Sequence, residues 1–259
     1  MGNKYSSVVL YSGGIDSYIL LKYVRQMIDP DTKPVFFDIG AKYGGIETIF
    51  VGNYCIGEIV DNTLKLGDME TDTAFIPNRN ILLATLAVAR YSNTVYIGGS
   101  KSDRISDNNQ KVFDDLSQIL TATDTKNVVT ITSPFWDMYK DDMVKWYAST
   151  VKDGRIDLLQ KTFSCYTPLS ENRTVEYLHS GAEDKYTSRH CFTCPACFRR
   201  NAALSNVDIY LPFDNEKIVE KYLREFDSTI KLDPNDKRAD QSFKYINRLG
   251  YLSVKSIKE

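Results

Sequence analysis

An apolar, β-prone run that ends in two glycines and passes straight into a helix-periodic segment leaves a chain few architectures. Val8-Val9-Leu10-Tyr11 feeds Ser12-Gly13-Gly14-Ile15-Asp16-Ser17, and Ile19, Leu20, Tyr23, Val24 and Met27 follow at helical spacing. The stretch predicts a strand, a tight loop and a helix. Such a junction aims backbone N–H groups and the positive end of a helix dipole at one point, which makes an anion site. Gly13 and Gly14 let backbone approach an oxyanion without a Cβ in the way. Ser12 and Ser17 add hydroxyl donors, and Asp16 can cap the helix or hold a metal ion on a phosphate. No Lys follows the glycines, so the kinase-type phosphate loop is excluded, and the dinucleotide pattern G-x-G-x-x-G is absent. The bland alternative is a turn whose glycines only solve a steric problem.

The rest of the first 160 residues alternates in kind. Pro34–Ile39 reads as a strand ending at Gly40, and Ile46, Ile49, Phe50 and Tyr54 mark a helix face. A short strand is predicted near Glu58–Val60, a strongly apolar helix over Ile81–Ala89, and a strand at Thr94–Ile97 running into Gly98-Gly99. A helix over Lys111–Leu120, a strand over Val128–Thr132 and a helix over Lys140–Lys152, ended by Gly154, complete the series. Alternation of this kind predicts an α/β fold with a doubly wound parallel sheet and ligands at the carboxyl ends of the strands. The loops after Tyr11, Ile39 and Ile97 should gather round one crevice. From about Ser164 the pattern changes to cysteine-rich loops and then helices, roughly Arg199–Asn206 and Glu216–Phe226, with a charged tail beyond. The expected division is a nucleotide-binding domain over 1–160, a four-cysteine region over 161–206 and an accessory helical tail over 207–259.

Of five cysteines, Cys55 stands alone in an apolar stretch and reads as packing. The other four are Cys165 and the run Cys191-Phe-Thr-Cys194-Pro-Ala-Cys197. That C-x-x-C-x-x-C spacing lets a tight turn converge three sulfurs on one metal, with Cys165 as a fourth ligand, and predicts a closed structural zinc site. An iron–sulfur cluster is the competitor. The net charge of −2 gives no general case for a stable nucleic-acid partner, although Arg199 and Arg200 leave room for a local basic patch. No apolar run approaches a membrane span, and the polar start is unlike a signal peptide, so a cytoplasmic protein with no membrane partner is expected.

Further residues fit the predicted crevice. Phe75-Ile76-Pro77-Asn78-Arg79-Asn80 sets a Pro-rigid loop before a helix, and Arg79 offers bidentate contact to phosphate or carboxylate. Taken alone, Arg79 and Asn80 could equally cap or salt-bridge. Gly98 and Gly99 close a strand where a ligand could enter, with Lys101 or Asp103 in reach. Lys140 opens a helix after Ser133-Pro134-Phe135 and, alone, would be solvated.

The segment Ser12-Gly-Gly-Ile-Asp-Ser17 after a hydrophobic strand resembles the pyrophosphate loop of the adenylating PP-loop ATPases. In order along the chain, that loop, Phe75–Asn80, Gly98–Asp103, Ser133-Pro134 with Lys140, and Thr162-Phe-Ser-Cys-Tyr166 leading to Cys191–Cys197 resemble the 7-cyano-7-deazaguanine synthase (QueC) family of the queuosine pathway. The resemblance spans roughly residues 5–205. It implies ATP-dependent conversion of a 7-deazaguanine carboxylate and ammonia to the nitrile, through an acyl-adenylate, an amide and its dehydration. It implies ATP, Mg²⁺ and one Zn²⁺ as cofactors, a homodimer, and site roles for Tyr11 through Ser17, Arg79, Asn80, Gly98, Gly99, Asp103 and Lys140. The sequence departs from the family's D-x-S-G-Y-P-D-C-R, reading Asp103-Arg-Ile-Ser-Asp-Asn-Asn-Gln-Lys111 instead. It also inserts Leu169–Arg189 between Cys165 and Cys191, and extends beyond Asn206. These departures leave open a different carboxylate, a reaction stopping at the amide, or a PP-loop enzyme that modifies tRNA.

Overall fold

The computed structural model describes residues 5–55, 57–103, 106–123, 127–151, 154–233 and 235–256. The chain forms two compact units that meet in sequence between Met138 and Tyr139.

In the first unit, strands β1 (Val8–Leu10), β2 (Lys33–Phe37), β3 (Ile59–Asp61), β4 (Thr94–Tyr96) and β5 (Thr130–Thr132) make one parallel sheet in the order β3-β2-β1-β4-β5. Helices α1 (Ile15–Met27), α2 (Gly44–Tyr54), α3 (Arg79–Arg90) and α4 (Gln110–Thr123) connect the strands. The central strands are mostly apolar, as expected of strands covered on both faces, and Val8, Val9, Val35 and Val95 are buried. The edge strands are polar in part, Thr130-Ile131-Thr132 burying only its central residue. Helix α1 buries Ile19, Leu20 and Val24, and α3 buries the small Ala84 and Ala87. At the β3 edge Asp61 is buried and accepts from Arg90 Nη1 (2.7 Å), Tyr91 Oη (2.6 Å) and Thr63 Oγ1 (2.6 Å). Burial alone would push its carboxyl up, but these hydrogen bonds outweigh it and hold Asp61 well below the ordinary carboxylate range.

The second unit carries α5 (Lys140–Thr150), α6 (Gly154–Lys161), the antiparallel pair β6 (Arg173–His179) and β7 (Ala182–Ser188), α7 (Pro195–Leu204), β8 (Ile209–Tyr210), α8 (Glu216–Leu232) and α9 (Lys237–Ser256). Two sequence expectations are corrected here. Gly154 starts a helix rather than ending one. The segment between Cys165 and Cys191 is not loop: it folds as a hairpin whose β6 also pairs with β8. Ser180 (φ 52°) and Gly181 (φ 85°) turn it, the two positive φ values that a tight hairpin needs. Val175, Tyr177 and Tyr186 face inward with the two-residue period of a half-buried sheet. Phe198, Ala202, Tyr222 and Tyr245 form one core cluster, so α8 and α9 pack on the helix that bears Cys197.

Candidate functional site: a switch-point loop and a four-cysteine centre

The strand order reverses between β1 and β4, the place where open α/β sheets bind ligands. The loop after β1 is the glycine turn. Gly13 sits at φ +75°, a conformation that strains any side-chain-bearing residue. Ser17 Oγ donates to Gly14 O at 3.0 Å and receives the Ser12 N–H at 3.2 Å, so the hydroxyls brace the turn from within. Gly14 is the N-cap of α1 and no side chain caps it, which corrects the expectation that Asp16 could do so. Asp16 instead lies beside the loop after β4: a Cβ on Gly98 would stand 3.6 Å from Asp16 Cβ and 3.8 Å from Ser17 N. Two of the expected loops therefore meet at the N-terminus of α1. Tyr11 and Ile15 turn their side chains into the core, leaving only backbone for a ligand. Gly99 has a packing reason, because its missing Cβ makes room for the Trp136 ring at 2.1 Å.

Arg79 donates to Tyr43 Oη at 3.0 Å. Close by, burial pushes the Glu47 carboxyl up to about 8, with Arg79 pulling it down and Glu70 pushing it further. Asn80 is held by the buried Asp107, which accepts from Asn80 N at 3.1 Å and Nδ2 at 3.2 Å. Asp103 accepts from Ser100 N at 2.9 Å and Asn108 Nδ2 at 3.1 Å, so its carboxylate shapes the loop after β4. Arg104 and Ile105 lie outside the described residues. Lys140 opens α5 in the second unit. Sequence reasoning missed Glu47 and Asp107. Each matters through a contact far along the chain, which a local motif does not record.

The four expected ligands come together. Cys165, Cys191, Cys194 and Cys197 are buried, with their sulfurs all within 4.8 Å of one another. Cys191 Sγ and Cys197 Sγ are 3.9 Å apart, close to the edge of a tetrahedron whose centre-to-sulfur distance is about 2.3 Å, roughly 3.8 Å. A four-iron cluster, with one cysteine per iron at the corners of a cube, needs its sulfurs spread to roughly 6 Å. The set fits one tetrahedral ion. Backbone N–H groups of Cys191, Thr193 and Cys197 donate at 3.4 Å to the sulfurs of Cys165, Cys191 and Cys194. His190 is no ligand: its Nε2 accepts from Ser164 N at 3.2 Å and its Nδ1 faces Ser188 Oγ at 2.9 Å.

The fold and site define an α/β protein with a glycine turn at its switch point and a C-terminal four-cysteine cluster that could hold a metal ion. The family described as "Queuosine biosynthesis protein QueC" matches residues 56–208. The chain belongs to that family. It is 26% identical over 233 residues, 76% of this chain and 93% of the relative, to the "7-cyano-7-deazaguanine synthase" of Methanocaldococcus jannaschii. Among solved structures it is similar to the U34-tRNA thiolase NcsA from Methanococcus maripaludis with its [4Fe-4S] cluster, at 12% identity and a TM-score of 0.40, covering 96% of this chain and 74% of that one. So low a score carries no argument about either site. No helix among the described residues is long and apolar enough to cross a membrane.

Proposed function

We propose that the protein converts 7-carboxy-7-deazaguanine and ammonia to 7-cyano-7-deazaguanine at the expense of ATP. The observation that carries the reading is the glycine turn at the switch point in a chain of the QueC family. The carboxylate oxygen attacks the α-phosphorus of ATP, forming the acyl-adenylate and releasing pyrophosphate. Ammonia then displaces AMP and loses a proton, giving the amide. A second adenylation, on the amide oxygen, creates a leaving group, and loss of AMP with two protons gives the nitrile. The Ser12–Ser17 turn and the dipole of α1 hold the departing diphosphate, with Asp16 as ligand to a Mg²⁺ that offsets its charge. Arg79 and Asn80 orient phosphate or carboxylate oxygens, and Gly98 admits the ligand. Cys165, Cys191, Cys194 and Cys197 hold a Zn²⁺ with no open position, so that ion is architectural. The protein works in the cytoplasm as a homodimer on small molecules.

The test is incubation of zinc-loaded protein with 7-carboxy-7-deazaguanine, ATP, Mg²⁺ and ammonium. Two AMP per nitrile is the expected result, and no AMP with unchanged substrate sinks the proposal. A second reading, the same activation of a different carboxylate, is favoured by the loop after Asp103, which lacks the family's Gly-Tyr-Pro. AMP formed only with another acid would select it.

A further inference from the structure

Arg200 is the largest fully buried side chain among the described residues, 1% exposed, and carries a full positive charge. The sequence expectation of a basic patch at Arg199 and Arg200 therefore fails at Arg200. Its Nη2 donates to the carbonyls of Leu158 at 3.2 Å and Leu159 at 3.5 Å, in the last turn of α6. Its Nε and Nη1 are buried and have no hydrogen-bond partner among the described residues. Among the described residues no carboxylate pairs with it. A buried cation without a counter-charge is destabilising by several kcal/mol in general, and native proteins avoid it.

The missing charge lies one helical turn away. Cys197 and Arg200 are three residues apart on α7 and share a face. His190 contributes no positive charge, since its Nε2 accepts a backbone N–H. Arg173, whose Nη2 reaches Cys191 O at 3.3 Å, is exposed and screened. A divalent ion held by four thiolates is a dianion, unlike four neutral thiols.

We propose that Arg200 is the buried counter-charge of the metal-loaded four-cysteine centre, stabilising its net negative charge in addition to holding the end of α6. This rests on the metal reading above, and metal content is therefore measured first: wild-type protein lacking bound zinc would fail that reading, not this one. The test then compares Arg200→Gln, which keeps an amide donor for the α6 carbonyls but drops the charge, with Arg200→Lys, which keeps the charge. Zinc affinity is read by competition with a colorimetric chelator, together with the pH at which half the zinc is lost. Arg200→Gln should weaken zinc binding about 10–100-fold, the range for partners that tune metal ligands, and raise the pH of half-loss. Arg200→Lys should stay within a few-fold of wild type. Unchanged affinity and pH of half-loss in Arg200→Gln would overturn the proposal. So would equal losses in the Gln and Lys variants, because the operative property would then be shape rather than charge.

Discussion

Alanine substituted at Gly98 and, separately, at Gly99 tests whether the crevice between β1 and β4 holds the nucleotide. Neither glycine has left-handed backbone, so the added methyl group acts only through what it touches. At Gly98 that is Asp16 Cβ at 3.6 Å and Ser17 N at 3.8 Å, ordinary contacts, and the stiffer unfolded chain offsets a loss of a few tenths with about 0.4–1 kcal/mol. At Gly99 the methyl lands 2.1 Å from the Trp136 ring, which stacks on Phe113 at 6.3 Å and must move by more than an ångström. Overpacking of this kind costs about 1–3 kcal/mol, a fall in Tm of roughly 2–4 °C per kcal/mol for a chain this size. The Gly98 methyl projects over the first turn of α1, where the diphosphate is proposed to sit. Loss of one charge-assisted hydrogen bond there, about 1.5–3 kcal/mol, weakens binding roughly 10–100-fold. Thermal denaturation and calorimetric titration with Mg²⁺·ATP measure both quantities. Gly98→Ala should keep its Tm and lose affinity, whereas Gly99→Ala should lose Tm. A folded Gly98→Ala protein that binds ATP as tightly as wild type refutes the placement of the nucleotide.

Other outcomes follow from single contacts. Asp107→Ala leaves the half-buried Asn80 donors without their buried acceptor and should lower stability by about 1–3 kcal/mol in urea titration, with a further fall in turnover if Arg79 and Asn80 touch the reacting groups. Glu47 is an acid whose folded value is raised, from 4.5 to about 8, so the folded chain keeps a proton that the unfolded chain releases. Stability should therefore decline as pH rises through that window, and Glu47→Gln should flatten the decline in pH-dependent denaturation. Asp61 is the opposite case. Its folded value is depressed, so its stabilisation is present above the unfolded value near 3.9 and lost as pH falls below it. Asp61→Asn should cost about 2–3 kcal/mol at neutral pH and make the acid arm of the stability curve shallower.

The alternation of apolar strands and periodic helices made the parallel sheet readable, because strands buried on both faces must be apolar whatever their neighbours are. The cysteine tetrad was readable for a similar reason: its chemistry lies in spacing, and Cys194-Pro195 also supplies the N-cap and first residue of α7. The hairpin carried a signal that went unused. Ser180-Gly181 stands between segments that alternate at Val175, Tyr177 and Tyr186, a pattern with a two-residue period rather than a loop's lack of one.

What stayed hidden depends on which side of a residue is covered. Gly98 and Gly99 are indistinguishable as letters, yet one borders Asp16 and the other a tryptophan ring placed by β5 and the turn after it. Arg199 and Arg200 likewise read as one basic pair. The helical step of about 100° per residue sends the Arg199 side chain toward Tyr166 Oη at 3.4 Å, while Arg200 is swung into the core beneath α6. Sequence periodicity normally assigns such a position to an apolar residue, since a buried cation is unfavourable without a fixed anion. A charged residue that occupies an apolar phase of an otherwise regular helix, three residues after a metal ligand, is therefore itself a readable signal. It marks a place where the local charge balance is set by something other than a carboxylate, and the four-cysteine cluster beside Arg200 is the candidate that the proposal tests.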